Sequence, residues 1–168
     1  MTRVSNVSGV LAALLFVVAF GAEQSSAQTL LEIGPRIGYE VDQTESVFVG
    51  GDVRIGLMAL PVIINPYFDY FFPSNEDVSL WQVGANALYT FGIDNQMFTP
   101  YAGAGLAITR QSVETAGDDI TSTEPGLNLL FGAQFGSGQM RPFAQAQISI
   151  GDFDMFAIAG GLLFHLGL

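Results

Sequence analysis

The strongest constraint on this chain is an alternation of apolar and polar residues with a period of two, which recurs from residue 31 to residue 166. In the first stretch Ile33 and Ile37 share one face, and Glu32 and Arg36 share the other. Successive side chains of a β-strand point to opposite faces, so this period predicts strands that are apolar on one face. Eight such stretches follow one another, at residues 31–41, 47–57, 62–72, 81–91, 98–109, 126–135, 141–150 and 156–166.

The segments between these stretches fall into two alternating kinds. Three are short and rich in turn-forming residues, at residues 59–61, 93–96 and 136–139. The other four are more variable and acidic, at residues 42–46, 73–77, 112–123 and 151–152. Short turns at one end and variable loops at the other are typical of an up-and-down β-barrel. We call these the turn end and the loop end of the predicted barrel.

The composition excludes several other classes of protein. Charged residues make up 12% of the 168 residues, about half of the roughly 25% in an ordinary soluble domain. The net charge is −11 and lysine is absent, which argues against binding to nucleic-acid phosphates. The chain has no cysteine, so disulfides, thiolate catalysis and cysteine-bound metals are excluded.

Residues 1–27 have the pattern of a secretory signal peptide. Arg3 provides the positive start, Val10–Phe20 forms an apolar core, and cleavage is expected after the small residue Ala27. As a helix the apolar core would rise only about 16 Å, which is too short for a hydrocarbon layer of about 30 Å. A membrane anchor is therefore disfavoured, and residues 28–168 are predicted to form one barrel domain.

Two observations predict that the apolar face is the outer face of the barrel. The polar face is dominated by Gly, Asn, Gln and Thr rather than by the charged coat of a soluble surface. Aromatic residues of the apolar face cluster at both ends, as in the girdles of a barrel in a bilayer. The predicted girdles are Tyr89, Phe91, Phe98, Phe135 and Phe164 at the turn end and Tyr39, Tyr70, Phe72, Trp81 and Phe156 at the loop end. The alternative is a soluble lipocalin-like carrier, which would have an apolar lumen and a polar outer wall.

Several charged residues share the inward face. They are Glu32, Arg36, Glu40, Asp52, Arg54, Asp69 and Arg141, with Glu124 at the start of the sixth strand. Because an unpaired buried charge is costly, we expect an ion-pair network that fixes strand register and blocks the lumen. An ion pathway is the alternative. Asp52 and Asp69 resemble a general acid and base pair, but both are expected to neighbour Arg54.

No catalytic, cofactor or metal site is predicted. His165 and Ser149 lie at opposite ends of adjacent strands, about ten residues or roughly 33 Å apart at the usual rise, which is too far for a catalytic couple. The loop at residues 112–123 and its flank carry carboxylates that Ca²⁺ would accept, but without EF-hand spacing, so a solvated loop is favoured. These carboxylates are Glu114, Asp118, Asp119 and Glu124.

Together, the signal sequence and the eight amphipathic strands resemble the small outer-membrane β-barrels of the OmpA/OmpX type. The resemblance implies an all-β, eight-stranded, antiparallel transmembrane barrel in the outer membrane of a Gram-negative cell, with its loops at the cell surface. It also implies a final strand that the barrel assembly machinery reads. Phe164, Leu166 and Leu168 fit its alternation, although the chain ends on leucine rather than on an aromatic residue.

The function implied is a non-enzymatic role in envelope structure or surface interaction. The expected partners are outer-membrane lipid and the assembly machinery, with no cofactor and no nucleic acid. Three alternatives stay open at this point: a small ion channel, an outer-membrane enzyme that modifies lipids, and a secreted lipocalin-like carrier. Polyanion adhesion of the heparin type is disfavoured because the loops are acidic.

Overall fold

A computed structural model describes residues 29–57, 61–75, 77–92, 97–114, 119–152 and 154–166. The predicted signal peptide and Leu168 lie outside these residues, as does most of the turns at residues 59–61 and 93–96. The strands are β1 (Thr29–Glu40), β2 (Val47–Leu57), β3 (Val62–Phe72), β4 (Val78–Thr90), β5 (Phe98–Glu114), β6 (Asp119–Phe135), β7 (Met140–Gly151) and β8 (Met155–His165).

The eight strands form one closed barrel in which every strand pairs antiparallel with its neighbours in sequence, and β8 pairs with β1. The predicted fold class is therefore confirmed. Along the barrel wall, closure pairs each strand with a neighbour on both sides, whereas residues 119–125 of β6 extend beyond β7 and pair with β5 alone. In the described part of the chain, no helix is long and apolar enough to cross a membrane.

The predicted bounds of the loop at residues 112–123 are wrong, because the strands on both sides extend into this segment. β5 continues to Glu114 and β6 begins at Asp119, so the two strands pair far beyond the apolar alternation. Ser112 pairs with Thr121, and their hydroxyl oxygens lie 3.2 Å apart. The apolar alternation ends near Ile108 because the outward positions beyond it are polar, as at Ser112 and Thr121, whereas the backbone pairing continues.

Burial follows the predicted alternation, with the polar face inside. On β1, Glu32 and Arg36 are almost fully buried, whereas Ile33 and Ile37 are half-exposed. The same pattern continues on β3 and β7. An apolar outer wall around a polar interior is the reverse of a lipocalin-like carrier, so that alternative is not supported.

The lumen contains more large apolar side chains than the sequence pattern predicts. They form one cluster toward the loop end and another toward the turn end, on either side of a polar middle. The loop-end cluster is Phe48, Phe71, Leu80, Met155, Ala157 and Ala159, and the turn-end cluster is Ile63, Leu88, Tyr101 and Leu130, with Leu30 packed against it.

Glycines on the inward face provide room for the rings inside the barrel. A Cβ atom at Gly84 would lie 2.6 Å from the ring of Tyr67, and one at Gly132 would lie 2.6 Å from the ring of Tyr101. Any larger residue at either position would displace a ring that fills the lumen. These glycines therefore position the side chains that fill the lumen.

Candidate functional site

Arg36, on β1, forms one part of the ion-pair cluster in the middle of the lumen. Its Nε atom lies 3.0 Å from Asp69 Oδ1, and its Nη1 atom lies 3.4 Å from Asp52 Oδ2. In the strand register Gly50 stands between Arg36 and Asp69, and a Cβ atom there would collide with the Asp69 carboxylate. Glycine at this position lets the two side chains meet across β2. The guanidinium also lies 4.8 Å from the ring centre of Tyr67.

Arg54, on β2, forms the second part of the cluster. Its Nε atom donates to Asp52 Oδ1 at 3.2 Å, and its two terminal nitrogens donate to Tyr101 Oη at 2.9 Å and Gln134 Oε1 at 3.3 Å. Its Cζ atom lies 4.6 and 4.7 Å from the ring centres of Tyr101 and Phe143. Asp52 therefore bridges Arg54 and Arg36. The expectation that Asp69 neighbours Arg54 is wrong, because Asp69 contacts Arg36.

Glu32 and Arg141 form a separate ion pair toward the turn end. Arg141 Nη1 lies 2.8 Å from Glu32 Oε1, and Gln134 Nε2 lies 3.1 Å from both oxygens of the same carboxylate. Arg141 also donates from Nε to the carbonyl oxygen of Gly138 at 3.0 Å. Gln134 thus connects this pair to Arg54 and, through Arg54, to the central cluster.

Glu40 departs from the predicted network. Its carboxylate accepts hydrogen bonds from the backbone N–H groups of the loop that follows β1, and no arginine contacts it among the ion pairs of the described residues. The Thr44 hydroxyl also donates to it at 2.8 Å. The parity of the strand places Glu40 inward correctly, but at the rim its nearest donors are loop amides. The amides belong to Asp42, Gln43, Thr44 and Glu45.

A network of uncharged polar side chains, none of them among the predicted site residues, fills the lumen between the ion pairs and the loop end. Tyr67 donates to Gln82 Oε1 at 2.8 Å and accepts from Asn128 at 2.7 Å and Gln147 at 3.2 Å. Ser149 donates to Asn128 Oδ1 at 2.8 Å. The available signal was the repeated Asn and Gln on inward positions.

The other residues considered for catalysis or metal binding do not come together in a site within the described part of the chain. Ser149 pairs with Met155 at the loop end of β8, whereas His165 pairs with Glu32 at its turn end. Glu124 accepts a hydrogen bond from the Ser122 hydroxyl at 2.7 Å. The described residues contain no group of three or more His, Cys, Asp or Glu side chains that could hold a metal. The side chains of Glu114, Asp118 and Asp119 lie outside the described part.

The predicted girdle residues all lie on the outer wall. Most are well exposed, and Trp81 and Phe156 are half-buried. Ring contacts join several of them, with centroids 5.2 Å apart for Tyr70–Phe72 and Tyr89–Phe91 and 6.5 Å apart for Phe98–Phe135. Phe68 and Phe131 also face outward without belonging to the predicted girdles.

A closed antiparallel barrel with an apolar outer wall and a hydrogen-bonded polar lumen is the architecture of an outer-membrane β-barrel. The model of the outer membrane protein beta-barrel domain family matches residues 11–140, and the chain belongs to this family. The protein is accordingly an outer-membrane protein, as the sequence predicts.

Solved structures of small outer-membrane barrels share this fold at low sequence identity. The N-terminal β-barrel domain of Pseudomonas aeruginosa OprF has a TM-score of 0.69 and 16% identity, covering 84% of this chain and 100% of that one. Neisserial surface protein A has a TM-score of 0.64 and 16% identity, covering 84% and 98%. Ail of Yersinia pestis has a TM-score of 0.62 and 14% identity, covering 84% and 99%. The comparison with curated proteins gives no match.

Proposed function

We propose that this protein is a non-enzymatic, non-conducting barrel that serves envelope structure or surface interaction. The observation that carries the proposal is the filled lumen. Arg36, Arg54, Asp52 and Asp69 are almost fully buried in its middle, and an apolar cluster lies on each side of them. An ion crossing the barrel would have to break several charge-assisted hydrogen bonds, which are the strong ones in proteins.

The contacts of the polar residues that could act in catalysis support a non-enzymatic role. Asp52 and Asp69 both contact arginine, so neither is a free general base. Ser149 donates its hydroxyl to Asn128 rather than to a histidine. A nucleophile needs a base within hydrogen-bond reach, and none of these carboxylates or hydroxyls has such an arrangement.

Planar-bilayer conductance tests whether the filled lumen blocks ions. We expect the wild-type barrel to show no steady current. Arg36→Met leaves Asp52 and Asp69 with less compensation, and because uncompensated buried charges attract water, we expect cation-selective current in this variant. Arg110→Met, at an exposed position on β5, is the matched control and should stay closed.

A steady wild-type current would overturn the proposal and favour the small ion channel. A folded Arg36→Met barrel whose current matches that of the wild type would show that the ion pairs of Arg36 do not block the lumen. A difference in gel mobility before and after boiling verifies that each variant has folded into a barrel.

The acidic loop end supports a surface partner that is not a polyanion. Ail of Yersinia pestis has been crystallised with the heparin analogue sucrose octasulfate, in a structure with a TM-score of 0.53 and 15% identity to this chain. In the present chain Asp42, Glu45, Asp77, Asp152 and Asp154 are exposed at the loop end. Like charges repel a sulfated ligand, so we propose a neutral or cationic surface partner.

We also propose that residues 1–27 direct export and are removed. The charged start, short apolar core and small residues before position 28 support this step. Outer-membrane lipid is a proposed partner of the folded barrel, and the barrel assembly machinery is a proposed partner during biogenesis, which the alternating final strand supports.

A further inference from the structure

The hairpin of β5 and β6 carries a strand edge that no other strand of the described residues covers. Residues 119–125 of β6 pair with β5, but they lie beyond the end of β7, whose last residue, Gly151, pairs with Gly126. On the other side of the hairpin, β4 covers β5 as far as Val113. Residues 119–125 therefore form an open edge beyond the rim of the barrel wall, which we call the β6 edge.

The phase of the β5–β6 ladder shows which backbone groups of the β6 edge are free. The N–H of Gly136 donates to the carbonyl oxygen of Met97 at 2.9 Å. Hydrogen-bonded and non-bonded pairs alternate along antiparallel strands, so even-numbered residues of β6 bond to β5 and odd-numbered residues face away from it. The N–H and C=O groups of Thr121 and Thr123 thus point to the open side, whereas those of Ser122 are bonded to β5.

We propose that the β6 edge binds an extended segment of a partner protein as an added antiparallel strand. This inference rests on the proposed role in surface interaction and gives the form of the partner. Free N–H and C=O groups on every second residue recur about every 6.8 Å, a spacing that another extended backbone matches. Proline and lysine commonly block such edges, but here Pro125 lies at the foot of the edge and leaves Thr121 and Thr123 open.

The charges around the β6 edge favour a basic residue on one face of the partner. Glu124 is partly exposed on the inward face, and no arginine contacts it in the ion pairs of the described residues. Asp152 and Asp154 are exposed in the β7–β8 loop at the foot of the edge. On the outward face, Arg110 pairs with Thr123. A lysine or arginine opposite Glu124 is therefore matched, whereas a basic residue on the outward face would share that face with Arg110.

A second copy of this chain fits the β6 edge less well. Barrels in one membrane have the same orientation, so their β6 strands run in the same direction, and two identical edges cannot form an antiparallel ladder. Such a contact would also bring two Glu124 carboxylates together, and like charges repel.

Amide hydrogen exchange, measured by NMR on the folded barrel in detergent micelles, tests the proposal. In the free protein we expect slow exchange at Ser122 and fast exchange at Thr121 and Thr123. The probe is a synthetic peptide with the sequence threonine–lysine–threonine–valine–threonine–valine–threonine, whose lysine would lie opposite Glu124. Saturating peptide should slow exchange at Thr121 and Thr123 several-fold and leave Ser122 unchanged.

Modified peptides separate backbone pairing from other contacts. N-methylation of the third and fifth residues removes the peptide N–H groups that would face β6 and should abolish the protection. N-methylation of the two valines removes N–H groups on the opposite side and should leave the protection in place. Equal protection by the two methylated peptides would overturn the added strand. A peptide with glutamate in place of lysine should need a several-fold higher concentration, and an unchanged requirement would contradict the basic partner.

Variants of the protein give an independent test. Thr123→Pro removes a free N–H at an edge position, where proline is tolerated, and should weaken peptide binding several-fold. Thr123→Val keeps this N–H and is the matched control, which should bind like the wild type. Gel mobility before and after boiling shows whether each variant has folded, and the methylated peptides decide the question if Thr123→Pro does not fold.

The outcomes also separate this proposal from the proposed function. Fast exchange at Thr121 and Thr123 at every peptide concentration would overturn the added strand, whereas the closed lumen is tested by conductance alone. Protection that grows with protein concentration in the absence of peptide would identify a second copy as the occupant and contradict a separate partner.

Discussion

At the scale of single residues, Arg54 shows how a cation is stabilised at the centre of this barrel. Its guanidinium lies near the rings of Tyr101 and Phe143 and donates to Asp52, Tyr101 and Gln134. A planar fork allows ring contacts and several directed hydrogen bonds at once, which a lysine ammonium does not. The lumen therefore explains why its buried cations are arginines.

Glu40→Gln tests the carboxylate that organises the first surface loop. The carboxylate accepts from four backbone N–H groups at 2.6 to 3.2 Å, and glutamine offers one oxygen and places an amide donor against other donors. We expect a loss of about 1–3 kcal/mol in the free energy of unfolding, measured by urea titration in lipid vesicles. Hydrogen exchange of the Asp42–Glu45 amides should also accelerate.

Asp42→Asn is the control for this substitution, since Asp42 is exposed and its backbone N–H is unchanged. Its stability should match that of the wild type. Equal exchange rates in Glu40→Gln and the wild type would show that the carboxylate does not order the loop.

Strand parity predicts which residues enter the lumen, but it does not predict their partners. Glu32, Arg36, Glu40, Asp52 and Asp69 are all buried as the alternation indicates. Which carboxylate meets which arginine depends on the stagger between strands and on gaps such as Gly50, which no single strand encodes. The large inward side chains escaped prediction for a related reason, because an apolar residue on a polar face weakens the two-residue pattern without marking a contact.

At the scale of strands, two prolines interrupt the hydrogen-bond ladders. The β1–β8 register skips Gly34 and Pro35, and the β2–β3 register skips the positions beside Asn65 and Pro66. Proline has no N–H to donate. Opposite Pro66, the carbonyl oxygen of Val53 instead accepts from Asn65 Nδ2 at 2.9 Å. A lumen side chain thereby replaces a missing ladder bond.

A double-mutant cycle tests this replacement. Asn65→Ala leaves the Val53 carbonyl without its donor and removes a hydrogen bond to Asp52, so we expect a cost of about 2–3 kcal/mol in unfolding free energy. Pro66→Val restores a backbone N–H that faces Val53. In the double variant we expect about 1 kcal/mol of this loss to be recovered, measured by urea titration in vesicles.

Asn86→Ala provides the comparison, since Asn86 donates to Asn65 Oδ1 at 3.3 Å and the Val53 carbonyl keeps its donor, Asn65 Nδ2, in this variant. Combined with Pro66→Val, it should show additive losses. Additivity in the Asn65 cycle as well would mean that the side chain does not substitute for the ladder bond.

Strand number and order were predictable from the alternation, while the length of the β5–β6 hairpin was not. Where the outer wall faces the membrane, every second side chain is apolar, so the sequence pattern predicts the strands. Beyond it, the outward positions of the paired strands are polar, as at Ser112, Thr121 and Thr123, and the single pair Val113–Ile120 does not make a two-residue pattern. Backbone pairing persists there without a hydrophobic signature, and the segment resembles a loop in sequence.

At the scale of the whole molecule, hydrogen bonds across the lumen join strands that are distant around the barrel. Glu32 on β1 contacts Gln134 on β6 and Arg141 on β7. Arg54 on β2 contacts Tyr101 on β5 and the same Gln134. Opposite walls are therefore connected through the interior as well as through the closed sheet, which favours a single cooperative unfolding transition.

Gln134→Leu tests this cooperativity. The variant removes hydrogen bonds to Glu32 and Arg54, with an expected cost of about 2–3 kcal/mol because both partners are charged. Trp81 lies on β4, away from these groups, and reports only its own surroundings. If unfolding is two-state, the Trp81 fluorescence and far-UV circular dichroism curves coincide and move together to lower urea. Gln139→Leu, at an exposed turn position, should leave both unchanged. Separate curves, or a Trp81 transition that stays in place, would mean that the β4 wall unfolds independently of the lumen network.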